Sequence, residues 1–163
     1  MAMEMSLELS VPARVEYIAV VRLVVSSLAT ARRALADDRI DDLKLAVSEA
    51  CTNAIEANTV AGQDAPVVVS CWEAPERFEV CVADTGPGFD PDVLPSHPPV
   101  TDPDRLNFER GLGVPLIRSL VDDVRFDSGP DGTAVWMTLF GGPEPEGGDE
   151  TSEILRVVIS EQE

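Results

Sequence analysis

The spacing of the apolar residues changes once along this chain, near Gly62, and that change limits the folds open to it. Ahead of it, Ile40, Leu43, Val47, Cys51 and Ala54 recur at three- and four-residue steps, the signature of one buried helix face. This stripe predicts a helix from about Asp41 to Asn58. Ile18, Val21, Val25 and Leu28 predict an earlier helix, opened by Ser10 and Pro12 and running to about Ala36, where Asp37-Asp38 interrupts it. Leu7, Leu9 and Val11 alternate with polar residues as a short first strand does. Beyond Gly62 the texture is β, with strands over Val67–Trp72 and Phe78–Ala83 around a Pro75-Glu76-Arg77 turn. A helix over Gly113–Val121 follows. Two closing strands, Val124–Phe126 and Thr133–Phe140, flank Gly129-Pro130-Asp131-Gly132.

Two stretches escape this pattern. Gly86–Arg110 is rich in Pro, Asp and Gly, and a connection of that length inside a compact domain is usually functional or disordered. Gly141–Thr151 reads as a flexible acidic linker, which divides the chain into a domain over 1–140 and a tail over 141–163. In that tail Ile154–Ile159 is apolar and suits either a strand or a docking segment.

The length of 163 residues fits one domain with an ordinary core. No apolar run reaches membrane-spanning length and no basic-then-apolar leader opens the chain, so it reads as soluble and cytoplasmic, with no membrane partner. Cys51, Cys71 and Cys81 have neither zinc spacing nor close pairing and read as reduced core filler. The formal net charge of −18 excludes direct nucleic-acid binding, which needs a basic footprint. Two readings fit that charge: solubility, or attraction to a basic protein partner. An anionic ligand would have to be neutralised locally by metal, backbone amides and a few arginines.

Three short segments carry candidate chemistry. Glu49 and Asn53 lie four residues apart, so on a helix they point about 40° apart, away from the apolar stripe. Magnesium takes hard oxygen ligands and keeps several waters, so one amide oxygen from Asn53 plus nucleotide phosphates makes a plausible shell. A carboxylate one turn earlier, Glu49, can take a proton from an attacking hydroxyl. Taken alone, the pair is also an ordinary polar helix face. Asp84 ends the second strand of the hairpin, where a carboxylate can accept a hydrogen bond from an exocyclic amine and so tell adenine from guanine. Gly86 and Gly88 follow, and let the backbone turn sharply and approach a ligand. Asp-x-Gly-x-Gly by itself is equally a turn.

Arg110-Gly111-Leu112-Gly113 leads directly into an apolar helix. Amides at a glycine-opened helix start bind phosphate, and Arg110, with Arg105 as runner-up, is placed for the terminal phosphate. A plain helix cap is the competing reading. Thr133 starts the last strand and can offer its hydroxyl to a base. His97 has no matching partner for chemistry, and Asp122-Asp123 reads as a solvated turn.

The joint order Glu-x-x-x-Asn, Asp-x-Gly-x-Gly, Gly-x-Gly resembles the GHKL (Bergerat-fold, histidine-kinase-like) ATPase superfamily. Leu43–Ala54, Val82-Ala83-Asp84, Gly111-Leu112-Gly113 and Leu120–Val124 are similar to the bacterial anti-sigma-factor serine-protein kinases, which switch stress and sporulation programmes. Val11-Pro12-Ala13, Glu16-Tyr17 and Arg22-Leu23 share in the likeness, which covers roughly residues 5–140. The resemblance implies a two-layer α/β sandwich: a mixed, mainly antiparallel sheet with helices on one face and a long ATP lid over Gly86–Arg110. It implies Mg2+ and ATP as cofactors, with Glu49 as catalytic base, Asn53 as magnesium ligand and Asp84 as adenine reader. Gly86 and Gly88 would lie beside the base; Gly111, Leu112 and Gly113 would line the phosphates. Such kinases sequester an alternative sigma factor and phosphorylate a serine on a STAS-type anti-anti-sigma antagonist, and a homodimer is the assembly implied. Relatives often carry a histidine and an aromatic after the Asn box, where this chain has Ile55-Glu56-Ala57-Asn58. The rival readings are a nucleotide-gated binding module without useful kinase activity and an ATP hydrolase acting on water.

Overall fold

A computed structural model describes residues 3–62, 64–88, 90, 113–141 and 154–161. Strand β1 spans Glu4–Val11 and is followed by a 3-10 turn over Val15–Tyr17 and helix α1 over Ile18–Ala31. Helix α2 runs Asp37–Val60; the hairpin β2 (Val67–Ala74) and β3 (Arg77–Ala83) follows. Then come α3 (Gly113–Leu120), β4 (Asp123–Gly129), β5 (Gly132–Phe140) and β6 (Leu155–Val158). The strands form one six-stranded sheet in the order β4-β5-β3-β2-β1-β6. All neighbours are antiparallel except β1 and β6, which run parallel, so the sheet is mixed and mainly antiparallel.

Alternation decides which face meets the helices. Leu7, Leu9 and Val11 pair with Cys71, Val69 and Val67, and that row continues through Val80 and Val82 to Met137 and Val135. Every one of these side chains is buried, as are Leu43, Val47, Cys51 and Ala54 on the facing stripe of α2. Burying a side chain of this kind is worth about 1.5–3 kcal/mol, so the shared face between α2 and the sheet dominates the stability. The opposite face carries Trp72 and Trp136, whose rings stack 4.9 Å apart, with the Arg125 guanidinium 4.9 Å above Trp136. All three cysteines are free and buried, and burial pushes the Cys51 and Cys81 thiols up to about 12, which leaves them inert. Among the described residues no helix is long and apolar enough to cross a membrane.

The first helix departs from its expected limits at both ends. It ends at Ala31, not Ala36, because Arg33 takes a left-handed conformation, φ 51°, in the turn to α2. Asp37 and Asp38 do not interrupt a helix; they form the first turn of α2, where negative charge suits the helix dipole. Asp122 is more than a solvated turn residue. Its Oδ2 accepts from Arg39 Nη2 at 2.6 Å and from the Phe140 amide at 2.8 Å, tying the start of α2 to β5. The apolar tail segment enters the sheet as β6, and Ile159 N–H donates to the Ser10 carbonyl at 2.9 Å. Glu161 beyond it pairs with Arg14 and accepts from the Tyr17 hydroxyl.

Candidate active site

Three elements converge along the second half of α2. Glu49 and Asn53 lie on the helix flank beside its buried stripe, and both are half-buried. The start of α3 rests on that flank. A Cβ added to Gly113 would lie 3.1 Å from each terminal atom of the Asn53 amide and 3.3 Å from Glu49 Oε2. The absence of a side chain at Gly113 thus leaves the carboxylate, the amide and the α3 N-terminus side by side.

The end of β3 forms the second wall. Asp84 Oδ1 accepts the Gly86 N–H at 2.8 Å and the Thr133 N–H at 3.2 Å, while the Asp84 N–H donates to the Thr133 carbonyl at 2.9 Å. Burial pushes the Asp84 carboxyl above the ordinary aspartate value, and the two amide bonds pull it back only in part. Gly86 is buried against α2, where an added Cβ would meet Ala57 Cβ at 2.6 Å and the Ala57 carbonyl oxygen at 2.8 Å. No residue but glycine fits so close to a helix backbone. Gly88, at φ 79°, lies equally close to the β4–β5 turn at Gly129 and Ser128.

Thr133 is buried beneath Asp84, and its hydroxyl lies 2.8 Å from Ser128 Oγ. Glu49, Asn53, Asp84, Gly86, Gly88, Gly113 and Thr133 therefore line the second half of α2 and the adjoining end of the sheet. Phe89, Arg105, Arg110, Gly111 and Leu112 lie outside the described residues.

Two polar residues at this site escape the motif reading: Asn58 and Ser128. Asn58 is fully buried, and its Oδ1 accepts the Thr85 N–H at 2.9 Å while its Nδ2 donates to the Ala65 carbonyl at 2.9 Å. A signal for it exists in the sequence. Asn58 comes four residues after Ala54, so a polar amide continues an apolar stripe. Buried polar groups at such positions need partners, and partners at the mouth of a site make a residue worth examining.

Residues 11–139 match the family described as the histidine kinase-like ATPase domain. Serine-protein kinase RsbW of Bacillus subtilis is 38% identical over 138 residues, covering 82% of this chain and 84% of the relative. Serine-protein kinase RsbW of Bacillus velezensis is 39% identical over the same span. Among solved structures, the RsbU and RsbW domains of Rv1364c from Mycobacterium tuberculosis superpose with a TM-score of 0.58 at 18% identity. That likeness covers 85% of this chain and 34% of the longer protein, and it bears on the fold alone. Motif order, sheet topology and this degree of identity agree: the chain belongs to the RsbW serine-protein kinases of the histidine kinase-like ATPase family.

Proposed function

We propose that this chain is an ATP-dependent serine-protein kinase and anti-sigma factor, holding an alternative sigma factor inactive and phosphorylating a serine on its anti-anti-sigma antagonist. One observation carries the reading. Gly113 sets the start of α3 against Glu49 and Asn53, so a helix terminus, a carboxylate and an amide suited to bind phosphate, take a proton and hold a metal lie side by side. A binding module without chemistry has no use for that conjunction.

In this reading the serine hydroxyl gives its proton to the Glu49 carboxylate as its oxygen takes the terminal phosphoryl group of ATP, and ADP leaves. Phosphoryl transfer needs little more of the protein than alignment and charge neutralisation. Asp84 fixes the adenine through its Oδ2, since Oδ1 is already engaged by the two backbone amides. The Asn53 amide and the Glu49 carboxylate beside the opening of α3 are hard oxygen donors that suit Mg2+; the Asn53 amide oxygen would hold it with nucleotide phosphates and water, and the ion would supply charge neutralisation. Arg110 and Arg105 are the cations assigned to the terminal phosphate, Gly111 and Leu112 would line it with Gly113, and Thr133 would support the base. The chain is expected to work as a homodimer in the cytoplasm, through its 1–140 domain.

Incubation with labelled ATP and candidate serine-bearing antagonist proteins tests the whole reading. Label must pass to the antagonist; ATP binding without transfer to any bound partner would leave only a nucleotide-gated binding module.

The elevated Asp84 carboxyl gives a second test. Oδ1 is held by two amides, so the proton goes to Oδ2, where it sets a donor against the exocyclic amine and weakens the contact. ATP affinity should therefore fall on acidification, with a midpoint above the ordinary aspartate value, and calorimetric titration from neutral toward acidic pH measures it. The Asp84→Asn variant, weak throughout, should lack that step.

A further inference from the structure

Asn58 is bonded at both ends of its amide, in a place where no water reaches it. Its Oδ1 accepts the Thr85 N–H at 2.9 Å and the Thr85 hydroxyl at 3.3 Å; its Nδ2 donates to the Ala65 carbonyl at 2.9 Å. Chemistry fixes the orientation. A carbonyl only accepts and a backbone amide only donates, so a flipped Asn58 would oppose like against like at both contacts.

We propose that Asn58 is a positioning residue for nucleotide recognition: by holding Thr85 it sets the Asp84 carboxylate against the adenine ring. Thr85 sits between Asp84 and Gly86, and the Gly86 N–H binds the Asp84 carboxylate. Gly86 in turn rests on Ala57, the residue before Asn58. The turn is thus fastened to α2 twice, by close packing on Ala57 and by a hydrogen bond to Asn58. The same helix carries Glu49 and Asn53. Asn58 accordingly sets the distance between the base-reading carboxylate and the group that acts on the phosphoryl end. Asn58 is fully buried although Thr85 is exposed, so the amide side chain has no water to turn to if these bonds are lost, and that holds it in place.

The inference rests on the reading of Asp84 as the adenine reader, and one experiment separates the two. ATP and GTP dissociation constants are measured for the native chain and for Asp84→Asn, Asn58→Leu and Asn58→Asp. Leucine fills the same space with neither donor nor acceptor, so Asn58→Leu should lose about tenfold of the preference for ATP over GTP. The loss should appear in KM for ATP more than in kcat, because Asn58 bonds Thr85 and Ala65 and neither Glu49 nor Asn53. Asn58→Asp keeps the oxygen that Thr85 donates to and should retain the preference, whatever it does to stability. An unchanged preference in Asp84→Asn would overturn both readings. A lost preference there, with Asn58→Leu and Asn58→Asp indistinguishable, would overturn the role of Asn58 alone. Should Asn58→Leu fail to fold, hydrogen exchange on the native chain decides: the Thr85 amide, outside any helix or strand, must exchange slowly, and rapid exchange refutes the inference.

Discussion

Replacing Glu49 by alanine is expected to cut phosphoryl transfer to the partner serine by about 10²–10⁴-fold while ATP affinity stays near native. The argument is one of position. Glu49 lies on the flank of α2 beside Asn53, one turn nearer the helix start, and touches the space that Gly113 leaves open. Its carboxylate borders that space, whereas the proposed adenine contact at Asp84 and the proposed phosphate wall at the start of α3 belong to other elements. Single-turnover transfer of labelled phosphate gives the rate, and calorimetry gives the affinity. Transfer at the native rate would remove Glu49 from the role of base and leave the rest of the site standing.

Gly113→Val is expected to act differently, lowering kcat/KM for ATP by about a hundredfold through misplacement of the reacting groups. A side chain there runs into the Asn53 amide and the Glu49 carboxylate, at 3.1 Å and 3.3 Å from its first carbon. Both neighbours are tips of half-buried side chains, which can swing aside, so the fold should tolerate the change and the site should not. Gly86 offers the contrast. A Cβ there meets the Ala57 carbonyl oxygen at 2.8 Å, and a helix backbone cannot move away without disturbing the core beneath it. Thermal unfolding should therefore shift little in Gly113→Val and markedly in Gly86→Ala. Native ATP affinity in Gly113→Val would show that α3 does not meet the nucleotide.

Much of this site was legible in the sequence because its chemistry demands residue identity. Few side chains can replace a carboxylate at Glu49 or Asp84, an amide at Asn53, or the missing Cβ of Gly86, and their order along the chain survives as a readable pattern. The strands were legible because one face is buried, so apolar and polar residues alternate through Leu7, Leu9 and Val11 and again through Val80 and Val82. What stayed hidden depends on contacts between distant segments. Asp37 and Asp38 looked like a break, since the same residue type that ends an apolar pattern also favours the first turn of the next helix. The left-handed turn at Arg33 has no glycine or asparagine to announce it. Asn58 gave only a faint sign, a polar residue on an apolar stripe, because its partners Ala65 and Thr85 come later in the chain. Asp122 likewise owes its role to Arg39, which the sequence places far away.

The parallel pairing of β6 with β1 has a consequence for how other proteins can attach. An uncovered edge strand is an open row of donors and acceptors on which a foreign strand can build, and the eight residues of β1 would make a long one. Here the chain lays its own short strand along that row. A partner protein meeting this chain from that side finds Leu7–Ser10 of β1 already paired and meets the four-residue β6 as the edge, so the row of main-chain groups left to extend is short. On that side a partner can gain less from main-chain hydrogen bonding, which any extended peptide can supply, and more of its selectivity falls to side chains, which differ between rivals.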